Sequence, residues 1–343
     1  MKPLRNMKLV PSIMVAVFAT WLFTPMAYAQ DAKEIQQALD SAYTRYKDLQ
    51  EGANADYIPA LAKVDPDIYG IALVTNDGTV YTAGDIESEV SIQSISKVFT
   101  MAKVFDEVGP ETVANIIGVD ATGMRFNSIV SIELSQKGFG GPEMNSLVNP
   151  GAIATTSMVS GANRDEVWNN ILSYYSDFAG RSLSVNKEVF KSEADTNQRN
   201  QAIGYLMYAY SYITSDPMQA TDVYTEQCSV NVNAKDLAIM AGTLANKGMN
   251  PVTNKQVMKS ENVNEVLAVM ATAGLYDDSG KWFFRTGLPG KSGVGGGIIA
   301  VSPGKFGIAV VSPPLDEAGN SVRAQNAIAD ISNALGGNPL GND

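Results

Sequence analysis

The sequence predicts an α+β fold in which an antiparallel sheet is built from both ends of the chain and flanked by helices, with a mostly helical second subdomain. Two hairpin patterns, one near each end, supply the strands, and a long stretch with helical spacing separates them. We expect one domain over 30–343, with a sheet subdomain at about 30–105 and 265–343 and a helical subdomain at about 106–264.

The amino-terminal part of this domain is expected to begin with a helix and continue into a hairpin. Apolar residues recur at helical spacing from Ile35 to Leu49, and the helix is expected to end at Glu51-Gly52. Two apolar runs, 68–74 and 79–83, are joined by Asn76-Asp77-Gly78, which is typical of a tight hairpin turn.

The carboxy-terminal part repeats this arrangement. Apolar runs at 297–301 and 306–311 flank a turn at 302–305, and an amphipathic helix follows from about 321 to 335. Helical spacing dominates between the hairpins, for example at 167–175, 202–214 and 234–246. These patterns predict a sheet whose strands are far apart in sequence.

The first 29 residues are typical of a secretory signal peptide. Three basic residues precede an apolar run over 9–26, and an Ala-x-Ala cleavage site ends at Ala29. Pro11 and Pro25 interrupt the apolar run, which argues against a permanent membrane anchor. We expect a periplasmic or secreted protein that keeps no stable anchor after cleavage.

Charge and residue counts exclude several classes of function. Removal of the signal peptide takes away three positive charges and no negative one, so the net charge falls from −11 to −14, which argues against nucleic acid or anionic lipid as a partner. Cys228 is the single cysteine, so no internal disulfide can form and cysteine-based zinc sites are excluded. The absence of histidine removes most catalytic zinc sites as well.

A Ser-x-x-Lys pattern occurs three times, and its context favours one copy. Ser302 lies in the expected turn at 302–305, and Ser184 lies in a polar stretch without a helical face. Ser94, in contrast, opens an apolar-periodic segment that is expected to be the first turn of a buried helix, where Lys97 lies on the same face.

Ser94 and Lys97 are a candidate nucleophile and base. A serine attacks only when another group takes its proton, and without histidine that group is lysine, tyrosine or a carboxylate. A lysine can do so when burial lowers its pKa. The start of a helix also directs backbone N–H groups toward a developing negative charge.

A downstream motif supports this interpretation. Lys291-Ser292-Gly293 leads into glycines 295–297 and a strand, and Ser-x-x-Lys followed by Lys-Ser/Thr-Gly is the signature pair of the β-lactamase and penicillin-binding architecture. Glycines let a substrate lie against the strand, where an amide such as that of Val294 could bind an oxyanion.

Beyond this architecture, the chain resembles the serine-dependent glutaminase family along nearly its whole mature length. In chain order, the landmarks are Tyr57-Ile-Pro, Gln93-Ser94-Ile-Ser-Lys97, Phe126-Asn127-Ser128, Asn149-Pro-Gly-Ala, Glu193, Arg199-Asn200-x-Ala-Ile-Gly204, Tyr224 before Cys228, Gly274-Leu-Tyr276-Asp277 and Gly287-Leu-Pro-Gly-Lys-Ser-Gly-Val-Gly-Gly296.

The resemblance implies hydrolysis of L-glutamine to L-glutamate and ammonia through an ester on Ser94, without a metal or organic cofactor. It implies that Ser94, Lys97 and Tyr276 are catalytic, with Tyr276 as a proton shuttle that Tyr57 assists and an oxyanion hole from the Ser94 and Val294 amides. A homodimer or homotetramer is also implied. The substrate contacts that it implies are Tyr57, Ser94, Asn149, Glu193, Asn200, Tyr224, Tyr276 and Val294.

The residue chemistry fits these roles. Glu193 suits the ammonium group of an amino acid, and Asn149, Asn200 and Tyr224 suit its remaining polar groups. Cys228 is expected to be a buried small hydrophobic residue. At 135–144 the sequence departs from the family pattern and is richer in glycine. This segment borders the expected substrate site, so the departure bears on the assignment of Asn149 as a substrate contact.

Two alternatives remain open at the level of sequence. One is a periplasmic β-lactamase or D-alanine carboxypeptidase, for which Ser184-Val-Asn186 or Ser229-Val-Asn231 would supply the missing Ser-x-Asn element. The other is a non-catalytic amino-acid-binding protein, which would need neither Lys97 nor a nucleophile.

Overall fold

A computed structural model describes residues 31–135 and 144–341, so the expected signal peptide lies outside the described residues. In these two ranges, no helix has both the length and the hydrophobicity to span a bilayer. The strands are β1 Gly70–Thr75, β2 Val80–Gly84, β3 Val90–Ser91, β4 Asn231–Val232, β5 Gly290–Gly293, β6 Gly297–Ser302 and β7 Phe306–Val311.

The helices are concentrated between β3 and β5, with two more before β1 and one after β7. They are α1 Ala32–Tyr46, α2 Pro59–Ala62, α3 Ser96–Val108, α4 Pro110–Ile116, α5 Val130–Leu134, α6 Asn149–Ser157, α7 Arg164–Ala179, α8 Lys187–Thr196, α9 Gln198–Ala209, α10 Pro217–Cys228, α11 Ala234–Ala245, α12 Val263–Ala273, α13 Ser279–Thr286 and α14 Val322–Ala334.

The main sheet joins strands from both ends of the chain, which confirms the predicted fold class. Its order is β2-β1-β7-β6-β5, and every neighbouring pair is antiparallel. The two ends meet where β1 pairs with β7, from Gly70 opposite Val311 to Thr75 opposite Phe306. Strand β5, which carries the Lys291 motif, is therefore an edge strand.

Helices cover both faces of this sheet because the inner strands β1, β6 and β7 are apolar on both sides. Ile71, Leu73 and Ile308 belong to a core shared with α1 and α14. Ala72 and Val74 alternate with them and face a second core that includes Leu237 and other residues of α11. The alternation follows from the two-residue period of a strand. Helix α11, inside the range expected for the helical subdomain, thus packs on the sheet.

The first hairpin forms where its turn residues predict it. Asp77 Oδ1 accepts hydrogen bonds from Thr79 N–H and from Thr75 Oγ1. Gly78 has a φ of +87°, which glycine adopts without strain. The turn sequence therefore determines the register of β1 and β2.

Helix α1 is shorter than the sequence pattern predicts. It ends at Tyr46 and not near Glu51. A distant contact explains this correction. The buried Arg323 guanidinium donates from Nε to the Leu49 carbonyl at 2.8 Å, which orders this segment outside the helix. The helical sequence pattern therefore extends past the observed end of α1, because tertiary contacts and not periodicity determine where the helix ends.

A glycine substitution tests the close packing of α11 on the sheet. A Cβ at Gly307 would lie 2.0 Å from the backbone nitrogen of Gly242 and 2.3 Å from the carbonyl carbon of Ala241. We expect Gly307→Ala to lower the free energy of unfolding by about 2 kcal/mol or more, because backbone cannot move aside.

Urea denaturation measures this change, and Gly280→Ala is the matched control. Gly280 lies in α13, and no atom is found within 4 Å of an added Cβ. This variant should gain about 0.5 kcal/mol from helix propensity. A wild-type unfolding midpoint for Gly307→Ala would contradict the packing argument.

Candidate active site

The candidate nucleophile lies between a short strand and a buried helix. Strand β3 ends at Ser91, a 3-10 turn covers Gln93–Ile95, and α3 begins at Ser96. Ser94 is therefore in the turn before the α-helix and not in its first turn. The β3 pairing delays the helix, because Ile92 N–H still donates to the carbonyl of Val230, the residue before β4. The Ser94 residue is 8% exposed.

Gln93 holds this turn in a strained conformation. Its φ of +49° costs a non-glycine residue about 1–3 kcal/mol. The side-chain Nε2 donates to Ser91 Oγ and to Glu193 Oε2, each at 3.2 Å. Gln93 thus links the nucleophile turn to a carboxylate of the expected substrate site. Sequence patterns assign it no role, although it precedes Ser94 directly.

Lys97 projects from the first turn of α3 into the interior and is 1% exposed. Its Nζ donates to Asn149 Oδ1 at 2.7 Å, and this neutral amide, not Ser94, is its hydrogen-bond partner among the described residues. Burial lowers the pKa of Lys97 to about 8, because the ammonium loses solvation, and the Glu193 carboxylate offsets part of this effect. A neutral amine that can accept a proton is therefore available near neutral pH.

Tyr276 is a buried tyrosine near Ser94. The Ser94 side chain lowers the pKa of Tyr276, but burial has the larger effect and raises it above the ordinary value. The Tyr276 ring lies 5.3 Å from Lys97 Nζ, measured to the ring centroid, and packs against Phe126 at 5.1 Å between centroids. The hydroxyl therefore stays protonated and can relay a proton between Ser94 and a base.

A second buried amine lies on the other motif. Lys291 Nζ is 3.9 Å from the Tyr276 ring centroid and donates to the Ser292 carbonyl at 2.8 Å. Burial lowers the pKa of Lys291 well below its ordinary value, and the nearby Lys97 charge lowers it further. The sequence pattern identified Lys291 as part of a motif but assigned it no contact. The structure brings it next to Tyr276.

Asn149 is the centre of a neutral hydrogen-bond network. Its Oδ1 accepts from Lys97 Nζ and, at 3.1 Å, from the Tyr224 hydroxyl. Its Nδ2 donates to Asn200 Oδ1 at 2.9 Å. Three residues that the sequence singles out, on α6, α9 and α10, therefore meet at the base. A neutral partner leaves the Lys97 amine free to lose its proton.

Glu193 is the carboxylate of the site. It lies on α8, is 7% exposed, and accepts from Gln93 Nε2. Burial raises the pKa of Glu193 to about 7, while the Gln93 hydrogen bond and the Lys97 charge lower it in part. A buried carboxylate without a cationic partner in contact favours binding of an ammonium group.

Tyr57 covers this region from the loop before α2. The residue is 54% exposed, and partial burial together with the Glu193 carboxylate raises the pKa of its phenol. Tyr57, Phe126 and Val294 line a cleft of about 600 Å³ together with segments 51–56 and 315–319. Ser94 is not among the residues that line this cleft.

The glycine-rich turn between β5 and β6 passes close to the nucleophile segment. A Cβ at Gly295 would lie 2.2 Å from the Ser91 carbonyl oxygen, so only glycine permits this approach. Val294, the residue before it, is 9% exposed and lines the cleft. The sequence expectation that the Lys291 motif and Ser94 share one site agrees with this contact.

The competing motifs make other contacts. Ser302 Oγ donates to the Gly337 carbonyl. The two Ser-x-Asn segments pair with each other, since Asn186 N–H donates to the Ser229 carbonyl and Asn231 N–H to the Ser184 carbonyl. Ser229 Oγ donates back to Thr225 within α10. These motifs therefore serve local structure.

Cys228 is buried, as expected for a small hydrophobic residue. Burial raises the pKa of its thiol to about 12, and the Glu193 carboxylate adds to this effect, so a thiolate is disfavoured. Across the described residues, no three His, Cys, Asp or Glu side chains cluster as metal ligands would.

The chain is similar to known proteins over most of its length. The family model described as Glutaminase matches residues 52–338. A glutaminase of Colwellia psychrerythraea is 52% identical over 313 residues, which is 91% of this chain and 99% of that protein.

Solved structures share the architecture. One named "Probable glutaminase ybaS" superposes with a TM-score of 0.88 at 48% identity and covers 91% of this chain and 100% of its own. A probable glutaminase from Bacillus subtilis, solved with 6-diazo-5-oxo-L-norleucine, superposes with a TM-score of 0.77 at 28% identity, covering 90% and 96% of the two chains.

Proposed function

Because this chain belongs to the glutaminase family and hydrolyses the side-chain amide of L-glutamine, we propose that it does so through an acyl-enzyme on Ser94, with Lys97 and Tyr276 transferring the proton. The observation that carries the proposal is the buried Lys97 amine, which lies one helical turn after Ser94 and 5.3 Å from the centroid of the Tyr276 ring. Serine, shuttle and base then lie in one cluster.

In the first step, Ser94 Oγ attacks the side-chain carbonyl carbon of glutamine while its proton passes through the Tyr276 hydroxyl to Lys97. The backbone N–H groups of Ser94 and Val294 stabilise the oxyanion, an effect that is typically worth about 3–4 kcal/mol per donor. The proton then returns to the amide nitrogen, the C–N bond breaks, and ammonia leaves.

In the second step, water replaces ammonia. It attacks the Ser94 ester, and its proton follows the same route through Tyr276 to Lys97. Collapse of the tetrahedral intermediate returns a proton to Ser94 Oγ and releases glutamate. The lowered pKa of Lys97 supports this cycle, because the amine must accept and return a proton twice per turnover.

Substrate selection uses the polar groups around the base. The Glu193 carboxylate binds the α-ammonium group, and Asn149, Asn200 and Tyr224 contact the remaining polar groups of the amino acid. Tyr57 closes over the bound substrate from the cleft side and assists proton transfer. The buried position of Glu193 supports this assignment, since an ammonium group gains most from a carboxylate that water does not screen.

The amino-terminal segment completes the proposal. We place the mature enzyme in the periplasm or outside the cell, where it would release ammonia from external glutamine, and without a membrane anchor after cleavage at Ala29. The basic, apolar and Ala-x-Ala regions of the first 29 residues support export. We also propose that the mature enzyme is a homodimer or homotetramer, which light scattering can test.

Ser94→Ala should reduce ammonia release from L-glutamine by several orders of magnitude, because the nucleophile is lost. The mature wild-type protein should prefer L-glutamine over L-asparagine and D-glutamine. Mass spectrometry after incubation with 6-diazo-5-oxo-L-norleucine should find one adduct, on Ser94.

Ser184→Ala is the matched control for this experiment, because Ser184 belongs to another Ser-x-x-Lys copy and is exposed. It should keep wild-type activity and labelling. Full activity of Ser94→Ala, or an adduct elsewhere, would refute the nucleophile. Cleavage of a chromogenic cephalosporin without ammonia release would refute the substrate.

The pH dependence of kcat/KM should report Glu193 and Lys97. Both act without their proton, with pKa values of about 7 and about 8, so kcat/KM falls as the pH is lowered. Its logarithm should change with a slope near one between pH 8 and 7 and approach two below pH 7.

Glu193→Gln separates the two ionisations. This variant should raise KM and keep a slope near one throughout, because only Lys97 still titrates. The remaining midpoint should shift to lower pH, since the carboxylate that raises the pKa of Lys97 is gone. A slope near two in Glu193→Gln would contradict the assignment.

Export is tested with a reporter fused after residue 35. Alkaline phosphatase, which is active only outside the cytoplasm, should be active in this fusion, and the amino terminus of the mature protein should begin at Gln30. An inactive reporter that stays in the cytoplasm would overturn the proposed location.

A further inference from the structure

Tyr276 adopts a backbone conformation that is unfavourable for its residue type. Its φ is +56°, in the left-handed region, where a bulky side chain is a genuine outlier. The residue opens the 3-10 turn Tyr276–Asp278 that connects α12 to α13. Strain of this kind persists only where surrounding contacts hold the residue.

Ser279 closes this turn with its hydroxyl group. Ser279 Oγ accepts a hydrogen bond from Leu275 N–H at 3.0 Å and donates to the Tyr276 carbonyl oxygen at 2.7 Å. The Ser279 N–H donates to the same carbonyl. Because Ser279 is 2% exposed, water cannot easily replace its hydroxyl. The Ser279 side chain therefore connects the backbone N–H of Leu275, the residue before Tyr276, with the backbone carbonyl of Tyr276 itself.

The chain before the turn is anchored by other contacts. Leu275 is buried in the core beneath the sheet. Gly274 passes so close to β5 that a Cβ there would lie 1.7 Å from the Gly290 carbonyl oxygen. These contacts fix the position of Leu275. The direction in which the chain leaves it is determined by the hydrogen bonds of Ser279.

We infer that Ser279 is a positioning residue, which holds Tyr276 in the left-handed conformation that places its ring beside Lys97 and Lys291. Glycine would adopt this φ without a brace, but it could not carry a hydroxyl group. A tyrosine at this position therefore requires a partner that stabilises the turn. The inference rests on the proposed role of Tyr276 in proton transfer.

A double-mutant cycle tests this inference on the full mature enzyme. The four proteins are wild type, Ser279→Ala, Tyr276→Phe and the double variant, and kcat for ammonia release from L-glutamine is measured for each. Ser279→Ala should lower kcat by roughly 10- to 100-fold, as small misplacements of catalytic groups do. In the Tyr276→Phe background it should lower kcat by less than about 3-fold, because no hydroxyl is left to misplace.

Thr286→Val is the matched control. Thr286 lies at the other end of α13, is equally buried, and has the same hydrogen-bond pattern, since its Oγ1 donates to the Trp282 carbonyl and accepts from Leu288 N–H. It braces a turn that does not contain Tyr276. This variant should lose thermal stability as Ser279→Ala does but keep kcat within about 2-fold in both backgrounds.

The outcomes separate the inference from the proposed function. An equal loss of kcat on Ser279→Ala in both backgrounds, or no loss at all, would overturn the positioning role even if Tyr276→Phe is nearly inactive. Full activity of Tyr276→Phe would instead overturn the proposed shuttle. If Ser279→Ala does not purify as a folded protein, Ser279→Cys replaces it in the same cycle, because its thiol fills the volume and weakens both hydrogen bonds.

Discussion

Burial of Lys97 is the constraint on which the active site depends. The chain has no histidine, and the proposed base, Lys97, is a group that is normally charged at neutral pH. Exclusion of water is what makes the neutral amine accessible, and its hydrogen-bond partner is the Asn149 amide, not a carboxylate. A carboxylate in that position would stabilise the ammonium and hold the proton. The neutral network around Asn149 is therefore as necessary as the burial.

The same constraint connects the two sequence motifs. Lys97 from α3 and Lys291 from β5 both border the Tyr276 ring, and the charge of either disfavours the charge of the other. Gln93 and Tyr276, the two strained residues of the site, lie directly beside the reacting groups. Two of the strained residues therefore lie where the proposed nucleophile and its proposed proton shuttle have to meet.

Local signals made the fold and much of the site predictable from sequence. Asn76-Asp77-Gly78 indicates a hairpin through its own turn chemistry, and the Lys291 motif precedes a strand as expected. What could not be predicted depends on distant contacts. Asn149 reaches Lys97 across 52 positions, and the end of α1 is affected by Arg323, 274 positions away from Leu49. Periodicity carries no information about such distances.

The pairing of β1 with β7 also has a consequence for the order of folding. Strand β1 of the first hairpin can pair with β7 only after residues 306–311 have been synthesised, so the sheet cannot close on a partial chain. Pairings that span most of the sequence form late and slowly, because loop closure has to precede them. A growing chain of this topology therefore cannot complete its main sheet until its last strand, β7, has been synthesised.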